Sequence, residues 1–180
     1  MSHNTTVTRS RRSAMPATFL VAALMSWSPV AAQQPASAAP RCSAGPLVRV
    51  PDLPEGSGVA ASRRTPGRLW AHNDSGQGGL VAVNERGSVT GHVQLPGIAI
   101  DDWEAIAVGP CTGGSCVYIG DIGDNEAGRP QITIYRFREP DGAGRAAAAE
   151  VFHATYPDDA QDAGRMLGTP KGGMVVVTKG

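Results

Sequence analysis

Short apolar runs alternate with turn residues through most of the chain, and no long stretch repeats its apolar positions with a helical period. Runs such as "CVYIGD" and "GMVVVTK" contain the β-branched and aromatic residues that favour strands, and Gly, Pro, Asn or Asp separates the runs. The pattern therefore predicts an all-β protein, and only "GRAAAAE" (144–150) has the composition of a helical turn. The predicted strands cover residues 58–62, 68–73, 79–85, 88–95, 104–109, 116–121, 131–139, 150–157, 165–170 and 173–179.

Three segments share one plan, in which a strand and a turn precede a second strand that ends in polar residues. The second strands begin at Leu69, Val117 and Met174, which lie 48 and 57 residues apart. Further strand pairs between them complete a unit of four antiparallel strands, which is typical of a β-propeller blade. A sandwich or a small barrel is the alternative. We expect about three blades of about six, so that residues 57–180 are the N-terminal part of a longer, incomplete propeller.

The first residues have the pattern of an export signal. Three arginines before residue 13 precede the apolar segment 14–27, and small residues offer cleavage sites after Ala32 or Ala38. The apolar segment is shorter than the ~20 residues of a membrane span, although an uncleaved anchor is the alternative. We predict a signal peptide at 1–32, an extended lead-in at 33–56, and a secreted or periplasmic protein.

Charge excludes two classes of partner. The whole chain has 16 Lys+Arg and 16 Asp+Glu, and residues 1–32 hold three arginines and no acid. Removal of the signal leaves a slightly acidic chain with no basic run, so we expect no nucleic-acid partner and no membrane contact beyond the export signal.

Export also makes the cysteines interpretable. Cys111 and Cys116 bracket "TGGS" between two predicted strands, a spacing that a hairpin loop can close, and we predict a disulfide between them. Cys42 remains, and its partner would lie in the expected further part of the propeller.

Three motifs carry a resemblance to a known group of proteins. The stretches "LWAHNDSG" (69–76), "DDWEAIAV" (101–108) and "YIGDIGDN" (118–125) resemble those of secreted bacterial β-propellers, a family related in style to phytase-like and NHL-type propellers. The similarity runs from about Ser57 to the end of the chain. A phytase-like relative would imply calcium sites and phosphate-ester hydrolysis. The third repeat departs from the pattern, since Gly164 stands where the second repeat has Glu104.

The acidic residues of the second repeat form a candidate cation site. Carboxylate and amide oxygens are the ligands that Ca²⁺ prefers, and glycines beside them allow the backbone to turn tightly. The alternative is that these Asp and Asn side chains cap turns by bonding to their own backbone. The predicted ligands are Asp102, Glu104, Asp121, Asp124 and Asn125, with Ca²⁺ as the possible cofactor.

A second set of candidates would hold a small polar ligand, and it consists of His72, Asn73, Asp74 and Glu104. His72 with Asp74 has the chemistry of a base and its orienting carboxylate, or alternatively of a structural bond between loops. Glu104 lies beside Trp103 and an apolar run, which places it either within the core or at a solvent-facing strand entry.

Alignment of the three repeats places Asn73, Asp121 and Thr178 at one position, where polar groups would surround the mouth of a central channel. We therefore expect an exported propeller that binds Ca²⁺ or a small polar ligand at this mouth. A secreted hydrolase with a metal-activated water, using Glu104, Asp121 and His72, is one alternative. A propeller that only binds another protein is the other.

Overall fold

The computed structural model describes residues 43–180, and the strands within this range are eleven, with no helix among them. The predicted signal peptide lies outside the described residues. Within the described range, no helix is long and apolar enough to cross a bilayer. The strands are β1 (Gly56–Ala61), β2 (Arg68–Asn73), β3 (Gly79–Asn84), β4 (Val89–Gln94), β5 (Trp103–Cys111), β6 (Gly114–Asp121), β7 (Ile132–Arg138), β8 (Gly144–Arg145), β9 (Glu150–Ala154), β10 (Ala163–Gly168) and β11 (Met174–Thr178).

All ten predicted strands are present with small shifts at their ends, so the all-β prediction is confirmed. The predicted helical turn at 144–150 is wrong. Its first two residues form β8, which pairs in parallel with β4, and the next N–H, of Ala146, donates to the carbonyl of Gln94 at 3.0 Å. The free edge of β4 offers backbone partners to this segment, and pairing there outweighs the helix preference of its alanines.

The strands form three sheets, which we number in chain order. Sheet 1 has the strand order β1-β2-β3-β4-β8, sheet 2 has the order β5-β6-β7-β9, and sheet 3 pairs β10 with β11. Apart from the β4–β8 pair, all neighbouring strands are antiparallel. Short turns suffice for such connections. In the β3–β4 turn, Asn84 Oδ1 accepts the N–H groups of Arg86 and Ser88, both at 2.9 Å, and Gly87 supplies a positive φ of 78°.

The strand β6, within sheet 2, is buried on both of its faces. Val117 and Ile119 of β6 pack in a cluster with Trp70 and Leu80 of sheet 1. The alternate residue Tyr118 faces the other way and packs with Ala163 and Met166 of sheet 3. Two-sided burial explains why β6 is an unbroken apolar run rather than an alternating one.

The three sheets repeat one irregularity. The first two strands of each sheet are antiparallel and share a break in register near the start of the first strand, where one extra residue forms a β-bulge. The extra residues are Ser57, Glu104 and Gly164. The partner strand ends in each case at the residue opposite the bulge, and these residues are Asn73, Asp121 and Thr178. The predicted equivalence of these three positions is therefore confirmed.

The same backbone contact joins successive sheets. The N–H of Trp103, at the start of β5, donates to the carbonyl of Asp74, just after β2, at 3.3 Å. The N–H of Ala163, at the start of β10, donates at 3.3 Å to the carbonyl of Ile122, just after β6. The strand β5 lies between β1 and β10, so the first strand of each sheet contacts the first strand of the next.

The predicted disulfide is present. Cys111 ends β5 and Cys116 lies in β6, and their sulfur atoms are 2.08 Å apart with the Cα atoms separated by 5.8 Å. The bridge closes the β5–β6 turn, in which Gly113 has a φ of 77° that favours glycine.

Candidate functional site

We name the first two strands of each sheet the inner strands. Four of the predicted site residues lie together at one end of the inner strands β5 and β6. Asp102 and Glu104 stand at the start of β5, while Asp121 ends β6 and Asp124 follows it. The β5–β6 pairing places Trp103 opposite Asp121, and the carbonyl of Asp102 accepts the N–H groups of Ile122 and Gly123, both at 3.2 Å. The antiparallel register thus brings residues about twenty positions apart onto one edge.

Asp121 is a buried anchor of the loop that precedes β5. Its side chain accepts the backbone N–H groups of Asp101 and Asp102, each at 3.1 Å, and an Nη1–H of Arg129 at 2.8 Å. The residue is 2% exposed. Both carboxylate oxygens are therefore occupied by donors from the protein, and the charge is compensated by the guanidinium.

Asp124 caps the turn that follows β6. Its carboxylate accepts the N–H of Gly128 at 3.0 Å and the N–H of Arg129 at 2.6 Å. Ala127, within this turn, has a φ of 48°. Asn125 is exposed at the tip of the same turn. For Asp121 and Asp124, these contacts are the ones that the alternative, turn-capping interpretation of the motif describes.

The remaining carboxylates surround a lysine ammonium, and we name the group of Asp102, Glu104, Asp162 and Lys179 the acidic rim. Lys179 Nζ lies 2.9 Å from Glu104 Oε1 and 3.0 Å from Asp162 Oδ2. Glu104 is half-buried, with 21% of its side chain exposed, which lies between the two predicted placements. Gly123 leaves room for Asp102, because a Cβ at position 123 would stand 2.3 Å from the Asp102 carboxyl carbon.

The charges of the rim shift its proton equilibria. Burial raises the pKa of Asp102, and the carboxylate of Glu104 raises it further. Hydrogen bonds to Glu104 and Asp162 raise the pKa of Lys179. Burial acts to raise the pKa of Asp162, but the N–H of Asp124 and the ammonium of Lys179 outweigh it and lower that pKa. Lys179 alone contacts two carboxylates, so the rim holds more negative charge than its single lysine neutralises.

No group of three or more His, Cys, Asp or Glu side chains within residues 43–180 is arranged to hold a metal ion. Ca²⁺ takes about six to eight oxygen ligands, and backbone N–H groups already occupy oxygens of Asp121 and Asp124. The calcium prediction stays a prediction, and it rests on the carboxylates of the acidic rim.

His72 lies in the core between sheets 1 and 2. It is 0% exposed, it packs edge-on against Trp103 at 5.6 Å between ring centroids, and its Nδ1 is 2.9 Å from the carbonyl of Asn73. A Cβ at position 58 would stand 2.4 Å from Nε2, so Gly58 makes room for the ring. Burial lowers the pKa of His72, and the ring is neutral at pH 7.

Asn73 and Asp74 form hydrogen bonds to the backbone of the lead-in segment and do not line an open surface. Asn73 Oδ1 accepts the N–H of Glu55, and Asn73 Nδ2 donates to the carbonyl of Asp52, both at 3.1 Å. The N–H of Asp74 donates to the carbonyl of Glu55 at 3.1 Å. These contacts match the structural role that was the alternative for this motif. Of the four residues predicted to hold a small polar ligand, Glu104 alone belongs to the acidic rim.

The buried His72 makes stability depend on pH. The unfolded chain binds a proton on this ring below about pH 6.5, whereas the lowered pKa keeps the native ring neutral. The free energy of unfolding should therefore decrease as pH falls below 6.5, by up to about 1.4 kcal/mol per pH unit, until the native pKa is reached. Urea unfolding between pH 8 and 5 measures this slope. His72→Gln should lack it, while the exposed His92→Gln should keep it, and an equal slope in both variants would contradict the assignment.

Four charged residues of this region were missed from the sequence as site residues. They are Asp101, Arg129, Asp162 and Lys179, which complete the ion pairs around Asp121 and Glu104. The repeat alignment that pairs Gly164 with Glu104 also pairs Asp162 with Asp102, and the position after Thr178 is Lys179. This signal could have found Asp162 and Lys179, whereas Asp101 and Arg129 had none.

No protein-family model matches the chain, and no curated protein or solved structure has a significant match to it. The functional argument therefore rests on the residues and their geometry.

Proposed function

We propose that this chain is an exported β-propeller binding module that holds a small, positively charged ligand at the acidic rim. Support for a radial array comes from the three first strands, which neighbour one another and carry a bulge at equivalent positions. The repeated hydrogen bond between successive sheets supports the same arrangement. A sandwich has two packed sheets, whereas here sheet 2 packs on both of its faces.

The disulfide supports export. Such bonds persist mainly in oxidising compartments, outside the cytosol. The Cys111–Cys116 bridge joins adjacent strands of a hairpin that is already paired along its length. Together with the signal pattern of residues 1–32, it favours a secreted or periplasmic location.

The observation that carries the ligand proposal is the position of one ammonium group. Lys179 Nζ contacts the carboxylates of Glu104 and Asp162 at once, and Asp102 adds a third carboxylate whose pKa is raised by burial and by Glu104. An external amine satisfies the same oxygens that the lysine does, since both are compact cations with several N–H donors. Rigid strands hold these groups at the open end of a sheet edge, where loops and strand ends form binding sites.

Ca²⁺ is the second candidate for the acidic rim. The carboxylates of Glu104 and Asp162 both lie within 3.0 Å of Lys179 Nζ, and such oxygen ligands suit a hard divalent cation whose coordination water would complete. The ion would compete with Lys179 for Glu104 and Asp162, whereas an amine would share the rim with it.

Calorimetric titration of the 180-residue chain separates these candidates. We expect saturable binding of 1,4-diaminobutane or of CaCl₂ at pH 7 under constant ionic strength, because screening by salt weakens exposed charge pairs. Asp102→Asn and Asp162→Asn should each weaken that binding about tenfold or more, since hydrogen bonds to charged groups are worth about 1.5–3 kcal/mol. The variant Glu85→Gln is the matched control, since it removes an exposed carboxylate from the β3–β4 turn.

Each outcome decides between the proposals. Binding of the diamine alone supports an amine ligand, and binding of Ca²⁺ alone supports a calcium site. Binding that Glu85→Gln weakens as much as Asp162→Asn does would be a general charge effect and would contradict both. Absence of saturable binding by either cation would also reject the acidic rim as a binding site.

A further inference from the structure

A groove lies at the end of the inner strands that is opposite to the acidic rim. It has a volume of about 590 Å³, within the roughly 300–1,000 Å³ of small-molecule sites. The β1–β2 turn, the β5–β6 turn and the end of β7 meet there. We name it the arginine groove, and its polar lining comprises Arg63, Arg64, Gly113, Ser115, Arg138 and Glu139.

A buried carboxylate forms the floor of the arginine groove. Glu139 is 1% exposed and accepts hydrogen bonds from the hydroxyls of Ser62 and Ser115. The backbone N–H of Arg63 at 3.2 Å and the indole N–H of Trp70 at 3.1 Å also donate to this carboxylate. Donors within the protein therefore satisfy Glu139, and none of its contacts requires an arginine side chain.

The arginines are positioned by neutral groups instead. Arg64 Nη1 donates to the carbonyl of Glu139 and Arg138 Nη1 to the carbonyl of Gly113, at 2.7 and 2.6 Å. Of the three groove arginines, only Arg64 forms an ion pair within the described part of the chain, and its partner Asp141 is 87% exposed. Within residues 43–180, Arg63 and Arg138 have no carboxylate partner. Arg63 and Arg138 thus bring two positive charges to the groove against the single negative charge of Glu139.

The glycine turn fixes one of these arginines. A Cβ at position 113 would stand 2.7 Å from Arg138 Nη2, and Gly113 and Gly114 have φ values of 77° and 147°. Only glycine allows this close approach with such a backbone conformation. The turn itself is closed by the Cys111–Cys116 bridge, so the groove wall is held covalently at that point.

We propose that the arginine groove binds a tetrahedral oxyanion, as the phosphate or sulfate group of a small molecule. Guanidinium groups present planar pairs of N–H donors that match such oxyanions, and the positive charge of Arg63 and Arg138, which exceeds the charge of Glu139, favours an anion over a neutral ligand. Arg63 also lines a second cavity with Pro110 and Thr169, which places it between the ends of β1, β5 and β10. The proposed ligand thus lies at the opposite end of the inner strands from the acidic rim, and neither proposal depends on the other.

Titration calorimetry with inorganic phosphate, sulfate and glycerol 3-phosphate tests this proposal on the 180-residue chain. Phosphate and sulfate also stabilise folded proteins by exclusion from the surface, so a melting temperature alone is insufficient and saturable heat is required. We expect Arg63→Gln and Arg138→Gln each to weaken binding about tenfold or more. Arg138→Lys keeps the charge but loses the planar donor pair, so its affinity should lie between those of the unchanged chain and Arg138→Gln.

The exposed Arg86→Gln in the β3–β4 turn is the matched control and should bind as the unchanged chain does. Tighter binding of glycerol 3-phosphate than of phosphate identifies an ester ligand, and the reverse identifies the free ion. Equal binding by Arg63→Gln and the unchanged chain would overturn the proposal, as would absence of saturable binding by all three anions. Arg63 is exposed and has no ion-pair partner among residues 43–180, so its variant should fold even where Arg138→Gln does not.

Discussion

Replacement of Trp103 by alanine is expected to lower the free energy of unfolding by about 3–5 kcal/mol, the usual cost of removing a buried tryptophan. Trp103 is 0% exposed and belongs to the cluster that joins sheets 1 and 2. Its ring packs against His72 and Tyr135, at 5.6 and 6.3 Å between centroids, and its Nε1–H donates to the carbonyl of Ala99 at 3.1 Å. The substitution removes contacts on both sheets and the hydrogen bond to Ala99.

Urea unfolding followed by far-ultraviolet circular dichroism measures this loss. Phe152→Ala is the control, because Phe152 is 42% exposed on β9 and its removal should cost well under 2 kcal/mol. The loss for Trp103→Phe should lie between the losses for Trp103→Ala and Phe152→Ala, since it keeps an aromatic ring in the cluster but loses the indole donor. A loss for Trp103→Ala no larger than that for Phe152→Ala would show that sheets 1 and 2 do not share this core.

The strands could be predicted because their signals are local. A run such as Val117–Ile119 has β-branched and aromatic residues between turn signals, and burial on both faces requires that composition. The repeat was also visible, because equivalent strands end in polar residues at Asn73 and Asp121. The bulges that mark the repeat could not be predicted, since an extra residue within a pairing leaves no compositional trace in a single sequence.

The wrong prediction of a helical turn has a long-range cause. The alanine-rich segment after Gly144 has good helix formers, but it lies beside the free edge of β4, and pairing with Val93 and Gln94 decides its conformation. Propensity describes a segment alone, whereas an unpaired sheet edge supplies hydrogen bonds that the sequence of the segment does not reveal.

The candidate site was found only in part for the same reason. Asp102, Glu104 and Asp121 stood out because acids gathered near strand ends. Lys179, the partner of Glu104, is 75 positions from it, and nothing local connects the two. The arginine groove was missed altogether, because Arg63 and Arg138 come from distant turns and the chain has no basic run.

Replacement of Glu139 by alanine is expected to lower the free energy of unfolding by about 4 kcal/mol. Two hydroxyls, an indole N–H and a backbone N–H lose their acceptor in a buried space, and each unsatisfied group costs about 1–3 kcal/mol before relaxation. Glu139→Gln should lose only about half as much stability as Glu139→Ala, because one oxygen still accepts from Trp70 and Ser62 while the amide donates to Ser115. The control Glu150→Gln removes an exposed partner of Arg136 and should leave the free energy of unfolding nearly unchanged.

Comparison of the unchanged chain with Glu139→Gln at several pH values also tests whether the Glu139 carboxylate is ionised. Burial acts to raise the pKa of Glu139, but hydrogen bonds from Ser115, Ser62 and Trp70 outweigh it and lower the pKa below its ordinary 4.5. A lowered native pKa adds stability above the unfolded value, and this stability is lost as pH falls through the native one. Urea midpoints from pH 7 to 3 should therefore fall more steeply below pH 4.5 in the unchanged chain than in Glu139→Gln. Parallel curves would mean that Glu139 is not the ionised floor of the groove.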